Sequence, residues 1–396
     1  MSPMDFSMTE EQERFRQEAR AWLLENVPSK ERGDGPLPSL DTKEGFEAHR
    51  SWERRMFDAR WSVVSWPERY GGRDAGLFEW LIFEEEYWAA GGPARVGQNG
   101  IFLLAPALMT FGTEGQRERF LRPMASGEEV WCQGWSEPDA GSDLASLRSR
   151  AKRSPDGESW VLHGQKTWCS RGAFADWIFT LFRTDPEAER HRGLTYFLVP
   201  LDSPGVTVRP IRQMDGEPGF AEVFFDEVEV PDSLVLGEPG RGWDVAMATT
   251  SSERGLSLRS PGRFSAAAAR LLRLFGRVAE SDPERAAFHA DRVVRAWLGA
   301  EAYRLATYAT ATRIVEGHQL GPESSLAKLA WSETDLAIHE AAMWLLGEEA
   351  WLEACAGGES GWLDGYLFSL AGPIYAGTNE IQRNLVAERV LGLPRG

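Results

Sequence analysis

The stretch from Trp131 to Asp143, W-C-Q-G-W-S-E-P-D-A-G-S-D, gathers side chains able to meet a ligand. Trp131, Gln133 and Trp135 recur with period two, which places them on one face of an extended segment. Pro138, Asp139, Ala140 and Gly141 then break the strand, leaving backbone N–H groups and the Ser136 and Ser142 hydroxyls available. Further on, Gln165-Lys166-Thr167-Trp168-Cys169-Ser170 brings an indole and a hydroxyl together a second time. Near the C-terminus sits Ile374-Tyr375-Ala376-Gly377-Thr378-Asn379-Glu380-Ile381-Gln382-Arg383. Indoles supply stacking surface, and hydroxyls and bared amides supply hydrogen bonds.

Such groups need a scaffold, and the periodicity of the chain falls into three blocks. To about residue 125 it is helical: Thr9 and Gln12 have capping-box spacing, and Phe15, Ala19, Trp22 and Leu23 follow at helical intervals. Further helices are predicted over 42–59, 77–90, 100–111 and 113–121. In the last of these Glu114 precedes Arg117 and Arg119, the order that suits a helix dipole. From about Val130 to Leu236 the period is two, and strands are predicted over 160–164, 177–182, 194–199 and 221–225. No helical pattern alternates with them, so an antiparallel barrel or sandwich is expected rather than a doubly wound nucleotide-binding unit. Gly237 to Gly242 reads as a hinge, after which helices are predicted over 266–278, 283–316, 323–346 and 379–391. The expected domains are 1–125, α-helical; 126–236, β; and 237–396, a helical bundle, together an α+β chain.

Composition narrows the classes. The 396 residues suffice for two or three domains with substantial cores. A net charge of −17 argues against nucleic acid or an anionic membrane as the general partner. Three scattered cysteines suit a reducing compartment, and Cys132 and Cys169 are expected to be buried and inert. With no secretory pattern and no apolar run of about 20 residues, a cytoplasmic protein without a membrane span is expected. The six histidines share no metal-ligand spacing with one another or with the cysteines, so no metal is expected.

In this order and spacing, W-C-Q-G-W-S-E-P-D-A-G-S-D, Q-K-T-W-C-S and I-Y-A-G-T-N-E-I-Q-R resemble the acyl-CoA dehydrogenase family of flavoenzymes, over nearly the whole chain. The resemblance implies that family's fold: an N-terminal α-helical domain, a middle antiparallel β domain and a C-terminal helical bundle. It also implies FAD between the β domain and the C-terminal helices, with an acyl thioester against the flavin face. Carried over residue by residue, Gln133, Trp135 and Ser136 would face the isoalloxazine, Trp168 would pack on it, and the Ser170 hydroxyl would lie near its N5 edge. Ser142 would contact acyl-CoA beside the cofactor, and Thr378, Asn379 and Glu380 would serve the FAD side. Ser251, Arg254, Ala376 and Gly377 would lie on the substrate side.

Removing hydrogen from a saturated thioester needs a base for a weakly acidic α proton and an acceptor for a β hydride. A carboxylate does this only when burial raises its pKa toward that of the activated substrate, with donors on the developing enolate oxygen. In many family members the base is a Glu between the Tyr and Gly of the C-terminal turn, where this chain has Ala376. Other members place it early in the C-terminal helices, followed by Arg. Ser251-Ser252-Glu253-Arg254 matches that pattern, as in the isovaleryl- and long-chain-type enzymes, and makes Glu253 the candidate base.

Two family patterns are absent. Arg273-Leu274-Phe275-Gly276 is one residue short of the Arg-x-x-Phe-Gly segment that helps hold a neighbouring subunit's FAD, and is read as helix packing. Met343 to Glu349 stands where a Gln and a Gly-Gly-x-Gly turn occur, with one glycine and two carboxylates that would repel a pyrophosphate unless turned away. The chain is therefore expected either as a homodimer or homotetramer holding FAD by other contacts, or as the catalytic member of a heteromer with a related chain. The implied reaction yields a trans-2-enoyl-CoA, with electrons passed to an electron-transfer flavoprotein. Two other readings stand beside it: a flavin monooxygenase or oxidase on the same fold, and a non-catalytic partner subunit.

Overall fold

The computed structural model describes residues 7–29, 36–254, 260–318, 321–322, 324–355 and 361–394. The helical first block comprises α1 (Glu10–Asn26), α2 (Lys43–Asp58), α3 (Leu77–Ala89), α4 (Ala105–Phe111) and α5 (Glu114–Ala125). The strands are β1 (Trp131–Gly134), β2 (Arg150–Arg153), β3 (Ser159–Ser170), β4 (Trp177–Arg183), β5 (Leu194–Pro200), β6 (Val206–Ile211), β7 (Phe220–Pro231) and β8 (Val235–Leu236). Helices α6 (Gly242–Arg254), α7 (Pro261–Ser281), α8 (Pro283–Val315), α9 (Ser324–Leu346), α10 (Glu349–Cys355), α11 (Trp362–Ser369) and α12 (Asn379–Leu385) follow. Contacts group the chain into two compact units, one drawn from residues 1–28, 75–92 and 254–396, the other from 29–74 and 93–253.

The second unit is organised by an eight-stranded sheet in the order β6-β7-β3-β2-β4-β5-β8, with β1 beside β4. Pairing is antiparallel from β6 to β2 and from β4 to β8. The β1–β4 pair is parallel, with Trp131 opposite Trp177, and β2 meets β4 in parallel at Arg150 and Arg183. Parallel neighbours need a long crossover, and residues 135–176 between β1 and β4 supply one. Ile178, Phe182, Phe197, Val223 and Phe225 fill the core on one side. β6 escaped the alternation reading because it is half-buried at best and carries Pro210, as suits an edge strand.

The helix predicted over 100–111 opens as a π-helical turn, Asn99–Leu104, in which the Ala105 amide reaches back to the Gly100 carbonyl. Pro106 cannot donate to this ladder, and the widened turn accommodates that loss. Gly100 is required there, since a Cβ would sit 2.7 Å from Met124 Cγ and 3.2 Å from Trp131 Cδ1.

In the first unit, α1 starts on the predicted capping box, with Gln12 N–H donating to Thr9 Oγ1 at 3.2 Å and Thr9 N–H to Gln12 Oε1 at 3.0 Å. Helix α7 buries Phe264, Ala268, Leu271, Leu274 and Val278, one stripe at helical spacing. Helix α8 starts with Pro283 after the Asp282 cap and buries Ala286, Val293, Ala296, Ala300 and Tyr303 in the same rhythm. These stripes meet Trp331, Ile338 and Leu345 of α9 and Trp362 of α11 in one core. Leu274 and Phe275 belong to that packing, as expected of the Arg273–Gly276 fragment. The last predicted helix is divided: α12 ends at Leu385 and a π-helical turn runs on through Val390. No helix among the described residues is long and apolar enough to cross a membrane.

Candidate active site

Two segments of the sheet unit run side by side. After β1 the chain passes along β3, where the Thr167 amide donates to the Ser136 carbonyl at 2.9 Å. Glu137 and Ala140 then exchange backbone hydrogen bonds of 3.0 and 3.1 Å, closing a turn whose tip, Pro138-Asp139, is exposed. Ser142 is exposed just beyond it, and Asp143 Oδ1 accepts from Arg190 Nη2 at 2.8 Å. Trp131 turns into the core, stacked on Trp177 with centroids 5.0 Å apart. Trp135 is buried edge-on to Tyr196, and its indole Nε1 has no hydrogen-bonding partner among the described residues. Gln133 and Ser136 are half-buried.

The turn is held by residues that the motif reading passed over. Glu137 accepts from Lys166 Nζ at 2.7 Å, from the Ser149 amide at 2.9 Å and from the Arg148 amide at 2.6 Å. Lys166 is fully buried and Glu137 nearly so. Burial works to raise the Glu137 carboxyl, but the Lys166 ammonium and the backbone donors outweigh it, so the group titrates below its ordinary range. Burial draws the Lys166 ammonium down, against the pull of Glu137. The signal lay in the sequence: Lys166, the lone charge of Q-K-T-W-C-S, must be paired if that segment is buried, and the neighbouring motif supplies the carboxylate.

Two residues past Lys166, β3 leaves regular geometry. Its register against β7 shifts between Lys166 and Cys169, and Trp168 adopts φ 59°. A bulky residue in the left-handed region costs roughly 1–2 kcal/mol. The indole is 58% exposed and meets Phe220 edge-on at 5.9 Å. Ser170 is half-buried, its carbonyl accepting from Asn99 Nδ2 at 3.3 Å. Cys132 and Cys169 are fully buried, and burial pushes both thiols up, that of Cys169 to about 12.

In the helical unit, residues 376–380 form a turn leading into α12. Ala376 has φ 59° and Gly377 φ 78°. Thr378 caps α12, its Oγ1 accepting from the Ile381 amide at 3.3 Å. Asn379 is turned inward: Oδ1 accepts from Lys328 Nζ at 2.6 Å and Ser332 Oγ at 3.1 Å. Gln382, part of the quoted motif but given no role from the sequence, donates from Nε2 to the Ala376 and Gly377 carbonyls at 3.3 and 3.2 Å. Glu380 is exposed, its carboxyl held low by its own amide and the Thr378 hydroxyl. Ser251, Glu253 and Arg254 occupy the last turn of α6, and their side chains lie outside the described residues.

The sheet unit thus offers an outward indole, the Gln133 amide and the hydroxyls of Ser136, Ser142 and Ser170, with no hydrogen-bonding partner for that amide or those hydroxyls among the described residues. The set fits a flat heteroaromatic with ring oxygens and nitrogens, such as a flavin. Family models for the acyl-CoA dehydrogenase N-terminal, middle and C-terminal domains match residues 9–128, 132–228 and 240–391. Acyl-CoA dehydrogenase IpdE1 of Mycobacterium tuberculosis is 41% identical over 385 residues, 97% of this chain and 98% of that relative. This chain belongs to the acyl-CoA dehydrogenase family.

The acyl-CoA dehydrogenase fold recurs in a solved structure described as the Tcur3481-Tcur3483 steroid ACAD, with TM-score 0.82, 27% identity and coverage of 99% of this chain and 100% of that one. The ChsE4-ChsE5 complex from Mycobacterium tuberculosis matches with TM-score 0.82 and 28% identity, covering 99% of this chain and 100% of that one. As an acyl-CoA dehydrogenase, the chain is an oxidoreductase acting on acyl-CoA with FAD as cofactor.

Proposed function

We propose that this acyl-CoA dehydrogenase desaturates the α,β bond of a bulky acyl-CoA thioester to the trans-2-enoyl-CoA, with Glu253 as the base for the α proton. FAD, when bound, supplies the hydride acceptor at N5. Glu253 is assigned by its place at the end of α6 together with Ala376 at the alternative base position. Gln133, Trp135, Ser136, Trp168 and Ser170 would hold and orient the flavin ring, and Thr378 and Glu380 the rest of FAD. Asn379 acts by fixing the turn, since its amide oxygen is already engaged. Ser142, Ser251, Arg254, Ala376 and Gly377 would lie along the thioester.

The observation that carries this reading is Trp168, an indole held outward at a positive φ inside a strand. Strain of that kind persists where a fixed side-chain direction is useful. The kinship with a steroid ACAD supports a bulky, steroid-like acyl group. The two-chain names of the related structures, with the absent Arg-x-x-Phe-Gly and Gly-rich patterns, support a heteromer in which a related chain completes FAD binding. An electron-transfer flavoprotein is the proposed acceptor.

The test is anaerobic titration of the yellow protein with straight-chain, branched and steroid-type acyl-CoAs. Bleaching by the bulky class with formation of enoyl-CoA is expected. Turnover that consumes oxygen at a matching rate would move the chain to the oxidase class. A colourless protein that gains flavin only with a co-expressed related chain would support the heteromer.

A further inference from the structure

We propose that Glu137 and Lys166 form a positioning pair, which locks the turn carrying Ser136 and Ser142 to the bulge that presents Trp168. The proposal rests on the flavin-binding reading above and adds to it two residues that touch neither cofactor nor substrate. One carboxylate gathers three donors from two places: the Lys166 ammonium on β3, and the Arg148 and Ser149 amides beyond the turn. Lys166 Nζ also lies 5.0 Å from the Phe182 ring centroid, so the ammonium is seated in the core of the sheet. The Ser136 carbonyl is bonded to Thr167, the residue between Lys166 and Trp168. The turn and the bulge therefore cannot shift independently while the ion pair is intact.

A buried ion pair is often no more stabilising than apolar groups of similar volume, whereas breaking one partner is strongly destabilising. That difference separates positioning from mere stability. Wild type, E137Q, K166M and the double variant E137Q/K166M would be compared, each as isolated and after removal and re-addition of FAD. The readouts are the thermal midpoint, the FAD dissociation constant and the shape of the visible flavin band. In E137Q the midpoint falls, because Lys166 is left as a buried charge without its counter-ion. In the double variant both charges are gone and the midpoint recovers.

FAD affinity in the double variant is expected to stay about 10–100-fold weaker, the usual scale for losing a group that orients a binding residue. Its flavin band is expected to lose the shoulder of a rigidly held ring. Recovery of midpoint and FAD affinity together would overturn the proposal and leave the pair a stabiliser of the fold. Should the double variant not fold, K166R serves: it keeps charge but not the single-point geometry, and wild-type FAD affinity in it would equally overturn the proposal. Absence of bleaching by any acyl-CoA in wild type would count against the dehydrogenation reading alone, because the FAD affinities are measured without substrate.

Discussion

Lys328 of α9 reaches Asn379 of α12 through a buried hydrogen bond of 2.6 Å, Nζ donating to Oδ1, and donates again to the Gly372 carbonyl at 3.0 Å. One ammonium thus anchors both ends of the turn that contains Ala376 and Gly377. K328M would leave the Gly372 carbonyl and part of the Asn379 oxygen's capacity unsatisfied, a loss of about 1–3 kcal/mol. Chemical denaturation of K328M should show that fall. An unchanged unfolding free energy would mean the turn is held by its other contacts, those of Ser332, Gln382 and Thr378 among them, without Lys328.

Trp168 separates strain from use. Glycine adopts φ 59° without the side-chain clash, while the indole's one ring contact among the described residues is edge-on to Phe220 and it is 58% exposed. W168G should therefore leave the unfolding free energy within about 1 kcal/mol of wild type, since relief of strain offsets the lost ring contact and the greater flexibility of glycine. FAD affinity should fall, and the remaining flavin should be reduced more slowly by acyl-CoA. A large loss of stability with normal flavin binding would assign Trp168 to packing.

The thiols give a check that needs no variant. Cys132 and Cys169 are fully buried, with the Cys169 thiol pushed up to about 12. Since the thiolate is the nucleophile, neither should be alkylated by iodoacetamide near pH 8 in the native protein, and both should be alkylated once it is unfolded. Peptide mapping by mass spectrometry distinguishes them from Cys355. Native labelling of Cys169 would show that β3 opens near Trp168.

Much of this fold was legible because its helices announce themselves twice, by stripe and by cap. Thr9 with Gln12 and Thr113 with Gln116 close the capping boxes that start α1 and α5. Only the first was read as a box, though both carry the same Thr-x-x-Gln spacing. Strand β3 was legible only over 160–164, since the bulge at Lys166–Cys169 interrupts the period-two pattern on which strand reading depends. The parallel seat of β1 beside β4 could not be read at all: pairing across 40-odd residues of intervening chain leaves no local mark. Trp168 and Ser170 were found by their types, but the left-handed backbone that turns the indole outward was not, because tryptophan gives no warning of a positive φ. Lys166 and Glu137 were hidden among their more aromatic neighbours.

Glu253 is the residue on which the proposed chemistry turns. E253Q removes the base while keeping size and polarity, and losing a positioned general base costs about 10²–10⁴-fold. The variant should retain FAD with a normal spectrum, yet its anaerobic reduction by the best acyl-CoA should slow by that factor. Reduction at the wild-type rate would remove Glu253 from the mechanism.

The Glu137–Lys166 pair sets a signature in acid. Burial alone would raise the Glu137 carboxyl, but Lys166 and the Arg148 and Ser149 donors bring it below the ordinary value of 4.5. Its folded pKa is therefore lower than its unfolded one, and between the two the unfolded chain binds more protons. The stability from this group is complete above the unfolded value and is lost as pH falls through the folded one. Other, half-buried carboxyls, such as Glu85 and Asp176, are raised by partial desolvation and act in the opposite sense, so total stability against pH does not isolate the pair. The difference between wild type and E137Q does, because a protonated Glu137 is close to a glutamine in charge and shape. That difference should be largest at neutral pH and close progressively below about pH 4.5, as linkage requires. Parallel stability curves for the two proteins down to the acid transition would mean that the Glu137 carboxylate is not what holds Lys166 in the core.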